Sequence, residues 1–136
     1  MYLLDTNVIS ELRRPKPHGA VPAWLAGADD ADLHLSAATL GEIQRGVEKT
    51  RASDPAKAAL IEAWLEDIAA TFNILSMDGR IFRLWAQLMH RKQEHLLEDA
   101  MIAATALAHN LIVVTRNTKD FEVLGVKALN PWLAPK

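Results

Sequence analysis

Residues 98–121 read EDAMIAATALAHNLIVVTRNTKDF, and the type of fold is decided there. From Ala100 to His109 the chain is apolar nearly all round, which describes a helix packed on several sides rather than laid on a surface. Ile112 to Thr115 follows, a short β-branched run suited to the middle of a parallel sheet. Thr118 to Phe121 reads as a turn or a short helix. A buried helix leading straight into a buried strand is the pattern of an α/β protein.

Outward from this stretch the alternation continues. Residues 2–4 form a short apolar strand running into Asp5. Residues 6–13 read as a helix with Val8, Ile9 and Leu12 on one side, stopped by Pro15 and Pro17. A short helix is expected over 20–28, with Pro22 tolerated in its first turn. Leu33, His34 and Leu35 make a second strand, and Ser36 opens a helix carrying Thr39, Glu42, Gly46 and Val47. Asp54-Pro55 begins another, in which Leu60, Ile61, Trp64, Leu65 and Ile68 recur at helical spacing. Residues 72–75 look like a third strand. Residues 78–92 form an amphipathic helix expected to turn Ile81, Phe82, Leu84, Trp85, Leu88 and Met89 inward, and 126–129 a last edge strand before Pro131. The reading is an α/β/α sandwich with a mostly parallel central sheet, in one domain over residues 1–136 without repeats or linkers.

Composition narrows the function. Half of the 136 residues are hydrophobic, enough for one real core. Cysteine is absent, which removes disulfides, thiolate nucleophiles and cysteine-based zinc sites together. The start, MYLLDTNV, lacks the basic and apolar segments of a signal peptide. The longest apolar run, residues 100–114, is broken by Thr105, His109 and Asn110 and is too short to span a bilayer. A soluble, cytoplasmic protein with no membrane partner is expected. The 15 basic and 17 acidic residues leave a net charge of −2, against a protein that coats nucleic acid by bulk electrostatics. An enzyme that holds a cation among carboxylates is unaffected, because the ion supplies positive charge to phosphates. The basic groups Arg13, Arg14, Lys16 and His90, Arg91, Lys92 each read alone as a solvated face.

Ligands in parallel α/β sheets gather at the carboxyl ends of strands. Asp5 stands at that end of the first strand, Glu42 lies within two turns of the helix after the second, and Asp120 follows the strand ending at Thr115. Asp99 joins them if its helix starts at the same rim. Carboxylates crowded in one pocket repel and raise one another's pKa unless a cation compensates. Hard oxygen donors suit Mg²⁺ or Mn²⁺, and such an ion activates water and polarises phosphoryl oxygens. Each residue also has a structural explanation: Asp5 and Asp99 as N-caps, Thr39 and Glu42 as a capping box, Asp120 as a turn residue. Spacing alone leaves both open.

The blocks LLDTNVISEL, SAATLGEIQRG, EDAMIAATALAHNLIVVTRNTKDF and LNPW, running from Tyr2 to Trp132, together resemble PIN-domain proteins, the toxin ribonucleases of the VapC and FitB type above all. The resemblance implies a nuclease that binds Mg²⁺ or Mn²⁺ and cuts single-stranded regions of RNA. It assigns the family's acidic positions to Asp5, Glu42, Asp99 and Asp120, with Asp5 and Asp99 holding the metal directly. Asn117 stands where some members carry an acid, and it shares the fourth position with Asp120 as a group for a ligand water. Thr6 and Thr115 are expected to orient carboxylates or water through their hydroxyls. A water activated at this site, helped by a carboxylate, would attack phosphorus in line and release a 3′-hydroxyl. The resemblance further implies a homodimer and a cognate antitoxin that blocks the acidic pocket with a basic side chain.

The segment 93–98 is more charged than the family's Gly- and Pro-containing loop; Glu98 within it adds a carboxylate beside Asp99 that is open to the site but reads first as a solvated loop residue, and His90 and His95 read as surface before RNA contacts. Trp24, Trp64, Trp85 and Trp132 read as core. A haloacid-dehalogenase-like phosphatase also places Asp after the first strand but needs a second Asp where this chain has Asn7. A non-catalytic RNA- or protein-binding module of the same fold predicts a degraded acidic set, whereas all four positions are filled.

Overall fold

The computed structural model describes residues 1–90 and 96–133. Five short strands, β1 (Tyr2–Leu4), β2 (Leu33–Ser36), β3 (Asn73–Leu75), β4 (Ile112–Val114) and β5 (Ala128–Leu129), form one sheet in the order β3-β2-β1-β4-β5. Every neighbouring pair is parallel, with Leu3 opposite Val113 and Leu4 opposite Val114 across the central pair. Side chains alternate across a strand. Leu3 and Val113 therefore join Ala100, Ile102, Ala103, Ala106 and Phe121 on one face. Leu4 and Val114 join Val8, Ile9, Val21, Leu35 and Ile68 on the other. Both faces are covered, as a three-layer sandwich requires.

The helices are α1 (Thr6–Arg13), α2 (Ala20–Ala26), α3 (Ala37–Arg51), α4 (Pro55–Thr71), α5 (Gly79–Met89), α6 (Leu97–His109) and α7 (Thr118–Val123). Several begin on the cap their sequence supplies. The Asp54 side chain accepts from Lys57 N–H ahead of Pro55, and Asp78 accepts from Ile81 N–H. α6 is the helix buried on several sides: Ala100, Ile102, Ala103, Ala104, Thr105 and Ala106 are all inaccessible to solvent. Its run of alanines lets the backbone lie close to β1 and β4, and Asn110 ends it in the left-handed conformation (φ 56°, ψ 50°).

The structure corrects several details. α6 starts at Leu97, so Asp99 lies in its first turn and is not the cap; the cap is Leu96, with no side-chain bond. Ser36, not Thr39, caps α3 by accepting from Ala38 N–H, which ends the capping-box reading of Thr39 and Glu42. Phe82 and Leu60 are exposed, although each was expected on the inward stripe of its helix. Phe82 instead packs edge-on against Trp85, ring centroids 6.3 Å apart. α5 ends at Met89, earlier than the expected 92, and residues 91–95, His95 included, lie outside the described residues. No helix among the described residues is long and apolar enough to cross a membrane.

Candidate active site

In this strand order the connections leave β1 toward β2 on one side, while β4 lies on the other. The crevice beyond the carboxyl ends of β1 and β4 is therefore the switch point where such sheets bind ligands. Asp5 is the first residue past β1 and Thr115 the first past β4. Asp5 N–H donates to the Val114 carbonyl at 2.9 Å, which ties the two strand ends together.

Asp5 is 4% exposed and caps α1: Oδ1 accepts the Thr6 N–H at 2.7 Å. Oδ2 accepts the Thr115 hydroxyl at 2.8 Å. The direction of that hydroxyl is fixed by count. Thr115 Oγ1 receives Asn117 N–H at 3.0 Å and Asn7 Nδ2 at 3.3 Å, which fills both lone pairs and leaves its proton for Asp5. The N-cap reading of Asp5 is thus correct, and the same bonds leave its carboxylate at the rim of the crevice. Burial still raises its pKa above 3.8, the Thr115 and Thr6 bonds oppose the rise, and the charge of Asp120 adds to it.

Glu42 lies one turn into α3, half-buried. Its pKa is pushed up from 4.5 to about 8, first by burial, then by the charge of Glu98 and a hydrogen bond with it, then by the charge of Asp5. The Thr6 hydroxyl partly offsets this from its place within 3.2 Å of Thr39 Oγ1. Glu98 also pairs with Arg45 at 3.3 Å. Asp5 thus feels the charge of Asp120, Glu42 feels those of Glu98 and Asp5, and Asp99, half-buried, stands beside Glu98 in the first turn of α6.

Of the expected orienting groups, Thr6 and Thr115 sit against the carboxylates. Asn117 contributes its backbone N–H to Thr115, while its side chain caps nothing in α7. Sequence reading missed one residue and underweighted another. Glu98, read first as a solvated loop residue, is a direct neighbour of Glu42. Asn7, used only to set aside a phosphatase, bridges the strand ends: Nδ2 reaches Thr115 and Oδ1 accepts Arg116 N–H at 3.3 Å. An Asn in the first turn of a helix is a weak helix former, and that was the available signal.

Among the described residues no three acidic or histidine side chains already surround a common ion position. The donor set nonetheless fits a hard divalent cation, being all oxygen, and the raised pKa values of Asp5 and Glu42 mark the negative charge such an ion offsets. A cleft of about 300 Å³ lined by Leu12, Pro22, Leu25, Leu33 and Phe72 lies by the opening residue of β2, away from this rim, with Asp30 its one acid.

A parallel three-layer sandwich with an acidic crevice at its switch point is the class these features define. The model of the PIN domain matches residues 2–127, and the chain belongs to that family. Toxin FitB of Neisseria gonorrhoeae is 39% identical over 138 residues, covering 97% of this chain and 99% of that protein. The VapC ribonuclease Y4jK of Sinorhizobium fredii is 36% identical over 139 residues, covering 97% and 98%. The crystal structure of FitAcB from Neisseria gonorrhoeae superposes with a TM-score of 0.86 at 38% identity, covering 98% of this chain and 100% of that one.

Proposed function

We propose that this chain is a toxin-type endoribonuclease, dependent on Mg²⁺ or Mn²⁺, that cuts single-stranded regions of RNA. The observation that carries the reading is Asp5, buried at the switch point with both carboxylate oxygens already aimed by Thr6 and Thr115. Relatives covering nearly the whole chain and named as a toxin and a ribonuclease support the same chemistry. In this reading Asp5 and Asp99 hold the cation, and Glu42 and Asp120 complete its surroundings through water. Bound there, the cation supplies an activated water and charge neutralisation for a phosphodiester. Thr115 and Thr6 keep Asp5 in one rotamer throughout. The Glu42–Glu98 pair retains a proton at neutral pH until positive charge arrives, which gives the crevice a group able to exchange a proton with water.

The same reading has the protein act in the cytoplasm as a homodimer, inhibited by a cognate antitoxin; a chain 28% identical over 96% of this one is solved within a toxin-antitoxin complex from Klebsiella pneumoniae, which supports such a partner. The test is cleavage of a structured RNA with added Mg²⁺ or Mn²⁺ and an EDTA control. Asp5→Asn and Asp99→Asn should each abolish most cleavage while the protein stays folded, as read by a cooperative thermal transition. Cleavage by both variants at the wild-type rate would overturn the site. RNA binding without cleavage by the metal-loaded wild type favours the non-catalytic module instead.

A further inference from the structure

Arg116 follows Thr115 directly, and its backbone N–H is held by Asn7 Oδ1. Its guanidinium lies over the Trp132 ring, 5.2 Å from the centroid, and the side chain is exposed. Among the described residues it has no ion-pair partner. Glu11, an acid that feels its charge, is already committed: Oε1 accepts His18 N–H at 2.9 Å and Oε2 accepts from Arg14 at 3.2 Å. Stacking on an aromatic face fixes the plane of a guanidinium but leaves its in-plane N–H groups unused, and that edge matches a phosphate bidentately. Trp132 is half-buried against the core, and its backbone N–H donates to Asn130 Oδ1 at 2.9 Å. A preorganised cation therefore stands at the lip of a crevice that is otherwise acidic.

We propose that Arg116, held flat by Trp132, is a positioning residue that grips a phosphate of the RNA strand flanking the cleaved bond. The inference rests on the ribonuclease reading. A polyanion entering this crevice meets carboxylates and, at Arg45, a cation already paired with Glu98, whereas Arg116 is unpaired among the described residues; its backbone is joined to Asp5 through Asn7 and Thr115, so a phosphate on it is registered against the catalytic carboxylate.

Binding of a fluorescent single-stranded RNA to the Asp5→Asn protein reads this without requiring cleavage. Adding Arg116→Ala should weaken binding about 10-fold and reduce the slope of log affinity against log salt by about 0.7. Arg116→Lys should keep the salt slope and recover only part of the affinity, because an ammonium cannot present a fixed planar edge. Arg80→Ala is the control: Arg80 bonds the Ala108 carbonyl, about 13 Å along α6 from Asp99, and its loss should leave affinity unchanged. Unchanged affinity and slope in Arg116→Ala would overturn the proposal. So would an equal loss in Arg80→Ala, or a Lys variant that binds as tightly as Arg. Cleavage by the wild type, measured separately, decides the ribonuclease reading.

Discussion

Thr115 is where one side chain controls the most. It is completely buried, and its hydroxyl joins Asp5, Asn7 and the Asn117 backbone in one network. Thr115→Val keeps the shape and deletes the network. Orienting groups of this kind are worth about 10- to 100-fold in metal affinity or activity, and that is the expected loss in a cation titration of cleavage. Stability should also fall by about 1–3 kcal/mol in urea unfolding, because buried donors lose their acceptor. Thr115→Ser should restore most of both. At this scale Asp5 was legible because a strand, an acid and a helix start coincide within a few residues. Glu98 and Asn7 were not, since what makes them part of the site is contact with Glu42 and Thr115, distant in sequence and invisible to local pattern.

Among the elements, α6 sets the distance between the sheet and its outer layer. Ala103 is fully buried against Leu3 and Val113 in the same cluster. Ala103→Leu should cost about 1–3 kcal/mol by overpacking, measured as a lowered urea midpoint, with the larger effect on activity coming from displacement of Asp99 in the first turn. At the other end, Asn110→Val should cost about 1–2 kcal/mol and Asn110→Gly very little, because only the former clashes in the left-handed conformation. The element pattern was read almost intact: β4 and α6 declare themselves by β-branching and an all-apolar surface. The start of α6 was misplaced for a physical reason. Its cap, Leu96, makes no side-chain bond, so no Ser, Thr, Asp or Asn marks the boundary, and Asp99 in the first turn imitates one. Ser36 opens α3 as its sequence indicates, and Thr39 lies inside the first turn, so the Thr39 and Glu42 spacing only imitates a capping box.

Over the whole molecule, two sets of carboxylates pull stability in opposite directions with pH. Asp5 and Glu42 have raised pKa values in the fold, so their contribution is full below their ordinary values and is lost as pH rises, for Glu42 up to about 8. Glu11, Glu48 and Glu62 are held below the usual 4.5 by hydrogen bonds, chiefly from His18 N–H, Arg51 and Gln44 respectively. Their contribution is present above that value and is lost as pH falls through their lowered pKa. Metal-free protein should therefore weaken on both sides of a mildly acidic optimum. Added Mg²⁺ or Mn²⁺ should raise the thermal midpoint more at pH 8 than at pH 5; equal shifts at both would argue against binding at Asp5 and Glu42. The sheet order carries a different consequence, in time. The central strand β1 is made before the other four, yet its partner β4 and the Thr115 that aims Asp5 come 110 residues later. At roughly 5–20 residues per second, a nascent chain spends on the order of ten seconds on the ribosome before its first acid can be braced. A fold built this way assembles its crevice only after β4 has emerged, so the order of synthesis delays the bracing of Asp5 whatever the local stability of β1.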